Sequence, residues 1–424
     1  MKKFLALLMV STAVLCTYIL NEKEYDSIQT QPCGDMLCDL ARKPITGVVK
    51  YNNMYGELLI KIPYKNGKKD GIKKEYYPTG ELLSTTPYKD GKEDGIGKGY
   101  YRQSGKLIFE TPYKDGKIEG IHKEYHYNGQ LEAEYFYKNG KKVGIHKEYY
   151  DDGHLKAEIP YKDGKKEGIA KAYHYNGKLE AECFYKDREA EGICKAYYDN
   201  GKLEAEYFFK DGEPEGICKE YYDNGQLKLE VSYKEGKKDG VEKKYNRDGK
   251  KEYEISYKED KKEGIAKKYH YNGKLAAEYF YKDGKEDGFQ KEYYDTGQLK
   301  FKIFYKDGKR EGFEKHFFRF EQLRIETPYK NDKKEGTQKE YYADGKLKLE
   351  IAYKEGEKDG VEKHFFPNGQ LKFDYFYKEG KKDGVQREYY DNGNLKLETI
   401  YKEGTRNGFK EYNKDGKLIY KTSP

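Results

Sequence analysis

Tryptophan is absent and methionine is scarce, at 4 residues. With a mean hydropathy of −1.15, the chain is too polar for a large aliphatic core. Charge of one sign is lacking too. Lys and Arg number 83 against 76 Asp and Glu, a net +7 over 424 residues. The signs are interspersed, unlike the one-signed footprint of a nucleic-acid binder, and only a local basic stripe is left open. Low hydropathy with high charge is also the composition of a disordered chain. Two features oppose that reading: aromatics reach 16%, including 48 Tyr, and they recur at fixed intervals, as only a folded lattice requires.

The N-terminus stands apart. Lys2 and Lys3 precede an uncharged run from Phe4 to Leu20, a positive n-region followed by an apolar h-region. The run is long for a signal peptide and short for a membrane span. Residues 1–20 are therefore expected to be a signal peptide or N-terminal anchor. Ser11 and Ala13 offer small residues before a cleavage site, and Cys16 offers a lipidation site, although Leu15 is bulky for one. Residues 21–46 read as a linker. Its Cys33 and Cys38 form either a small disulfide, as an exported chain allows, or two free thiols. Cys194 and Cys218 hold the same repeat position, two strands or roughly 10 Å apart, too far for a disulfide. Cys183 and Cys194 could face each other across one turn.

From residue 47 to 424 the chain repeats itself. A Gly, in most rungs preceded by an acidic residue, occurs at Gly47, Gly71, Gly95 and Gly120, then every 24 residues to Gly408, with a single interval of 25 between Gly95 and Gly120. That makes sixteen rungs, the last cut short. With this Gly as position 1, position 6 is aromatic in every complete rung after the first (Tyr149, Tyr221, Phe317). Position 10 is Gly, usually after Asn, Asp or Thr, position 12 is Leu (Leu131, Leu227), and position 18 is Tyr (Tyr137, Tyr233) or, once, Phe209. Two or three glycines per rung leave no room for a helix. Asn-Gly or Asp-Gly at positions 9 and 10 is a hairpin signal, since both residues tolerate positive φ. Each rung thus reads as a β-hairpin, and the fold class is all-β: an elongated single-sheet array of about sixteen stacked antiparallel hairpins. Pro63, Pro87, Pro112, Pro160 and Pro328 all fall at position 17. Since Pro cannot donate to a ladder, the second strand should stop there and a loop should follow.

One hairpin is not stable alone, so stability must come from stacking, with the aromatics of positions 6 and 18 forming columns and Leu at position 12 between them. Two registers are open. A two-residue turn sets the Lys of position 4 (Lys219, Lys291) opposite the acid of position 15 (Glu206, Glu350). A three-residue turn with a Gly bulge puts positions 2, 4, 6, 12, 14 and 16 on one face; it gives the cleaner apolar face and is favoured. Some rungs break the pattern: Arg188, Asp260 and Asp332 replace the third Gly, Glu321 the hairpin Gly and Lys251 the Leu.

The run Tyr-Lys-Asp-Gly-Lys-x-x-Gly, followed by Tyr-Tyr-x-x-Gly-x-Leu, resembles the variant MORN (membrane occupation and recognition nexus) repeat of bacterial YwqK-family toxin–antitoxin antitoxins. The resemblance covers residues 47–424. It implies an elongated, often curved antiparallel sheet used for protein or membrane-surface interaction, and it carries no catalytic residues. The leader departs from it, because a cytosolic antitoxin should not carry an export signal.

No catalytic, cofactor-binding or metal-binding residue stands out, and the chain reads as no enzyme. His122, His126, His146, His154, His174, His270, His316 and His364 scatter over positions otherwise held by Tyr, Glu, Ala or Gln. On a strand, His122 and His126 lie about 13 Å apart, too far to share a metal. The Gly-rich turns lack a phosphate-loop pattern. Tyr beside Lys invites single-stranded nucleic acid, but the columns account for those Tyr first. The function expected is a non-catalytic exported scaffold at the cell envelope with a protein partner. The alternatives are an antitoxin-like partner of a toxin and peripheral binding to an anionic membrane surface.

Overall fold

The computed structural model describes residues 30–39 and 42–422. The leader, with Ser11, Ala13 and Cys16, lies outside them. The described residues are strand and turn, without a helix. The chain divides into two compact units, Met1–Lys166 and Glu167–Pro424. In each unit antiparallel strands pair with their neighbours in sequence, and among the described residues no strand pairs with one distant in the chain. The sheet is therefore open and does not close into a barrel, and the repeated all-β hairpin is the architecture found.

The rung from Gly216 shows how it is made. Its strands are Gly216–Tyr221, Leu227–Lys234 and the short Lys237–Lys238. In the first turn Tyr222 N–H donates to Gln226 C=O at 2.8 Å and Gly225 N–H to Tyr222 C=O at 2.8 Å. Gly225 has φ 91° and Asn224 is not among the residues of positive φ, so the loop is three residues long with Gly in the left-handed position. Asn224 acts through its side chain instead: Oδ1 accepts Gln226 N–H at 2.9 Å and Nδ2 donates to Arg247 C=O of the next rung at 2.9 Å.

The three-residue turn is thus present, yet the favoured register does not follow from it. Tyr221 pairs with Leu227, but a bulge intervenes, and beyond it Glu220 pairs with Leu229, Lys219 with Glu230 and Cys218 with Val231. One extra residue at position 13 turns the rest of the strand over by one place. Positions 4 and 15 therefore meet, as in the register not favoured. The buried row consists of positions 3, 5, 14 and 16: Cys218, Ala196, Ala205, Val231 and Ile303 in the second unit, Val49, Ala133 and Ile159 in the first. Positions 2, 4, 15 and 17 face the other way. The expected apolar face is half wrong, because positions 2, 4 and 6 are not in the buried row. The columns of positions 6 and 18 accordingly lie on opposite faces.

The second turn is tighter. Glu235 and Gly236, with φ 50° and 76°, join Lys234 to its partner Lys237 as a two-residue turn matched to the strand twist. Glu235 N–H is held at 2.7 Å by the Glu215 carboxylate of the rung before, and Gly236 N–H by Pro214 C=O at 3.0 Å. Arg188, Asp260, Asp332 and Glu321 keep positive φ of 85°, 66°, 68° and 66°, so these rungs retain the turn despite the strain of a side chain there.

Contrary to expectation, the second strand does not end at position 17. Leu58–Lys65 runs through Pro63, and Ile60 and Lys61 pair with Glu75 and Lys74 of the next rung, so the ladder is continuous. Pro is admitted because position 17 faces a bulge. At Phe280 and Phe376 its N–H is taken by the buried side chains of Gln290 and Gln386, at 3.0 and 2.9 Å, not by a ladder carbonyl. Proline removes a donor that the sheet does not use.

Before the first rung, Thr30–Cys33 and Met36–Asp39 form a hairpin closed by a Cys33–Cys38 disulfide, with Cα atoms 6.0 Å apart. Leu37 N–H donates to Gly67 C=O and Gly67 N–H to Ile45 C=O, both at 2.8 Å, so the hairpin sits on the edge of the first rung. Cys183 and Cys194 are direct cross-strand partners joined by a second disulfide, and Cys218 is a buried free thiol.

Candidate interaction surface

The outer face carries three parallel rows. The first pairs position 2 with position 17 across the strands: Ile121 with Phe136 in the first unit, and Ile193 with Phe208, Ile265 with Phe280 and Phe289 with Phe304 in the second. Apart from the half-buried Phe304, these side chains are open to solvent although apolar: Ile193 is 53% exposed and Phe208 41%, against 2% for the neighbouring Cys194. Isolated exposed hydrophobes are normal; a contiguous row of them marks an interaction surface.

The second row is the charge ladder of positions 4 and 15. Each acid lies between two cations, one on its own hairpin and one on the next, as Glu326 to Lys315 at 3.1 Å and Glu230 to Lys243 at 2.8 Å show. Lys98 Nζ lies 2.9 Å from Glu110; that hydrogen bond holds the carboxyl below its usual range and raises the ammonium. Such partly exposed pairs contribute about 0.2–1 kcal/mol each and chiefly fix register.

The third row is the Tyr of position 6, whose hydroxyl donates to the acid of the preceding rung: Tyr125 to Glu110 and Tyr149 to Glu134, both at 2.9 Å. Burial first, and these carboxylates second, push both hydroxyls up to about 12.

The opposite face is structural. The cation of position 23 lies over the Tyr of position 18 in the next rung: Lys238 over Tyr257 at 5.0 Å, Arg310 over Tyr329 at 4.1 Å, Lys334 over Tyr353 at 4.7 Å. The Tyr column is thus stitched by interleaved cations, and burial pulls Lys142 and Lys334 below the usual ammonium value.

The histidines substitute within these ladders. At position 7 the Tyr222 hydroxyl donates to Tyr245 C=O at 2.8 Å, and His126, His174 and His270 bond the equivalent carbonyl at 3.1, 2.7 and 3.0 Å. His122, His146, His316 and His364 bond Glu124, Glu148, Glu314 and Glu362, and His154 bonds Asp152. Among the described residues no group of three His, Cys, Asp or Glu is placed to hold a metal ion. A cleft of about 470 Å³ lies beside the N-terminal hairpin, lined by Met36, Tyr64, Lys69 and Lys92.

A family model for the MORN repeat variant matches twelve segments: residues 69–90, nine between 118 and 355, then 358–379 and 382–403. The chain belongs to the MORN repeat variant family. Repeats of this family form a scaffold module and are generally non-catalytic. No curated protein matches the chain. Solved structures that resemble it include TcdB2-TccC3 without its hypervariable C-terminal region, 12% identical with a TM-score of 0.15, and the Photorhabdus luminescens Tc holotoxin pore with the TccC3-D651A mutation, 12% identical with a TM-score of 0.12. Each match covers 92% of this chain, which spans about a quarter (24%) of the length of the matched chains.

What sequence reasoning missed in this MORN array is the row of positions 2 and 17. A signal was present: position 17 accepts Pro160, Phe208, Ser232 and Ile400 alike, which a buried site would not do.

Proposed function

We propose that this MORN repeat protein is an exported, non-catalytic scaffold that docks a protein partner along the outer row of positions 2 and 17. The observation that carries the reading is that row itself: apolar side chains stay exposed on successive rungs beside a ladder of alternating charge. Apolar contact supplies affinity, and fixed charges beside it supply orientation. Two disulfides favour an oxidising compartment, in keeping with the leader at residues 1–20. An anionic membrane surface suits the row less well, because from Lys98 onward each cation of position 4 has an acid of position 15 on its own hairpin or the one before.

The test compares the natural chain with I121S/F136S, which removes one exposed pair and leaves the buried row intact. Both are cross-linked in cells and purified. The natural chain is expected in the envelope or secreted fraction, with a bound protein that the variant loses while keeping its β circular dichroism spectrum. Recovery from the cytosol with Cys183 and Cys194 as thiols, or equal capture by both chains, would contradict the reading.

A further inference from the structure

Along the second unit the outer row changes size in a regular way. Position 17 is Ser232 and Ser256 in two successive rungs, Phe280 and Phe304 in the next two, then Pro328 and Ala352. Phe doublets thus alternate with notches of equal length, while the facing position 2 stays apolar at Ile217, Val241, Ile265 and Phe289. When such a ridge is turned end for end, the rungs that carry Ser meet the rungs that carry Phe.

We propose that this face binds a second copy of the chain, the two sheets packing face to face about a two-fold axis parallel to the strands, between the rungs of Gly240 and Gly264. The inference rests on the outer row being an interaction surface and names the partner for the second unit. Such an axis reverses the stack and keeps each position along the strand. First strands then face second strands. Ser232 lies opposite the partner's Phe289, Ser256 opposite the partner's Ile265, Phe280 opposite the partner's Val241, and Phe304 opposite the partner's Ile217. Bulk meets a gap at both serines.

The charges agree. The same operation sets Glu254 opposite the partner's Lys267, Lys243 opposite the partner's Glu278, and Glu230 opposite the partner's Lys291. One contact, Lys219 with the partner's Lys302, is like-signed and lies at the outer end of the four central rungs. At about 10 Å of sheet per rung, these four rungs with the adjoining charge row cover about 600 Å² per copy. One further rung on each side brings the area near the roughly 800 Å² of a stable interface.

The test is the association state of the purified full chain, measured by sedimentation equilibrium at micromolar concentration. A dimer is expected. S232F fills a notch and should weaken dimerisation by about tenfold or more. F289S in the same chain empties the facing side, so S232F/F289S should return to within about threefold of the natural chain. I265R places a charge beside the axis at a residue 45% exposed, where the fold tolerates it, and should give a monomer with an unchanged circular dichroism spectrum. A monomeric natural chain, a dimer indifferent to S232F and I265R, or a double variant no tighter than S232F would each overturn the proposal. If the chain is monomeric and I121S/F136S still abolishes partner capture, the self-association fails and the docking role of the row stands.

Discussion

Position 17 accepts Pro160 and Phe376 alike because its N–H points into a bulge, where Gln386 satisfies it in one rung and proline dispenses with it in another. Removing the Gln386 amide by Gln386→Ala strands a buried N–H and C=O on Phe376. The local opening free energy, read from hydrogen exchange of neighbouring amides, should fall by about 1–3 kcal/mol. With Phe376→Pro in place no donor is stranded, and the same substitution should cost measurably less; equal losses in both backgrounds would contradict this account. The tyrosine hydroxyls make a second prediction. Tyr125 and Tyr149 are pushed up to about 12 by burial and their carboxylate partners, above the usual value near 10. Their contribution to stability is therefore full below that usual value and is lost as pH rises through about 12. Glu110, held low by Lys98, contributes fully above the usual carboxylate value and progressively less as pH falls through its folded value. Denaturation midpoints should be flat between these limits and fall on either side, and ultraviolet titration of the folded chain should show a tyrosine class ionising well above free tyrosine. Titration of every tyrosine near 10 would sink this. Tyr at position 6 was legible in the sequence as a column; its bond to the acid of the previous rung was not, because that contact depends on register.

Within one rung, the first turn, the second turn and both strands follow from Gly225, Gly236 and the alternation around them. The bulge at position 13 does not. Gln226-Leu227-Lys228-Leu229-Glu230 alternates without interruption, and hydropathy carries no mark of a residue that slips out of the ladder. Every inward and outward assignment beyond it then reverses. Position 3 adds to the difficulty, since its buried side chains include Gln290, Glu242 and Glu362. Glu362 is held low despite burial because Lys358 and His364 bond it at 2.5 and 2.9 Å, so a row that looks polar in sequence is buried in the fold. Proline reads this geometry. Ser232→Pro should change stability by less than about 1 kcal/mol, whereas Glu230→Pro, on a residue paired with both Lys219 and Lys243, should cost about 3 kcal/mol or more. Thermal unfolding of the two variants checks the difference; equal effects would mean that the second strand is not continuous.

For the molecule as a whole, stability is shared between rungs through repeated bonds: the position 7 hydroxyl or imidazole to the next carbonyl, the Asn of position 9 to the next turn, the acid at the end of one rung to the turn of the next, and the cation of position 23 over the next tyrosine. This is the nearest-neighbour logic of a repeat array. It also leaves one face free for an apolar row that the fold itself does not need, and the scaffold role depends on that row facing outward. Val48 and Val49 test this most directly, being adjacent in sequence and identical in chemistry. Val48 is 50% exposed and Val49 3%. In Val48→Cys and Val49→Cys variants of the folded chain, thiol labelling followed by peptide mass analysis should modify Cys at position 48 at the rate of an open thiol and leave position 49 protected until unfolding. Rapid labelling at 49 with protection at 48 would show that the rungs face the opposite way, and the account would be wrong.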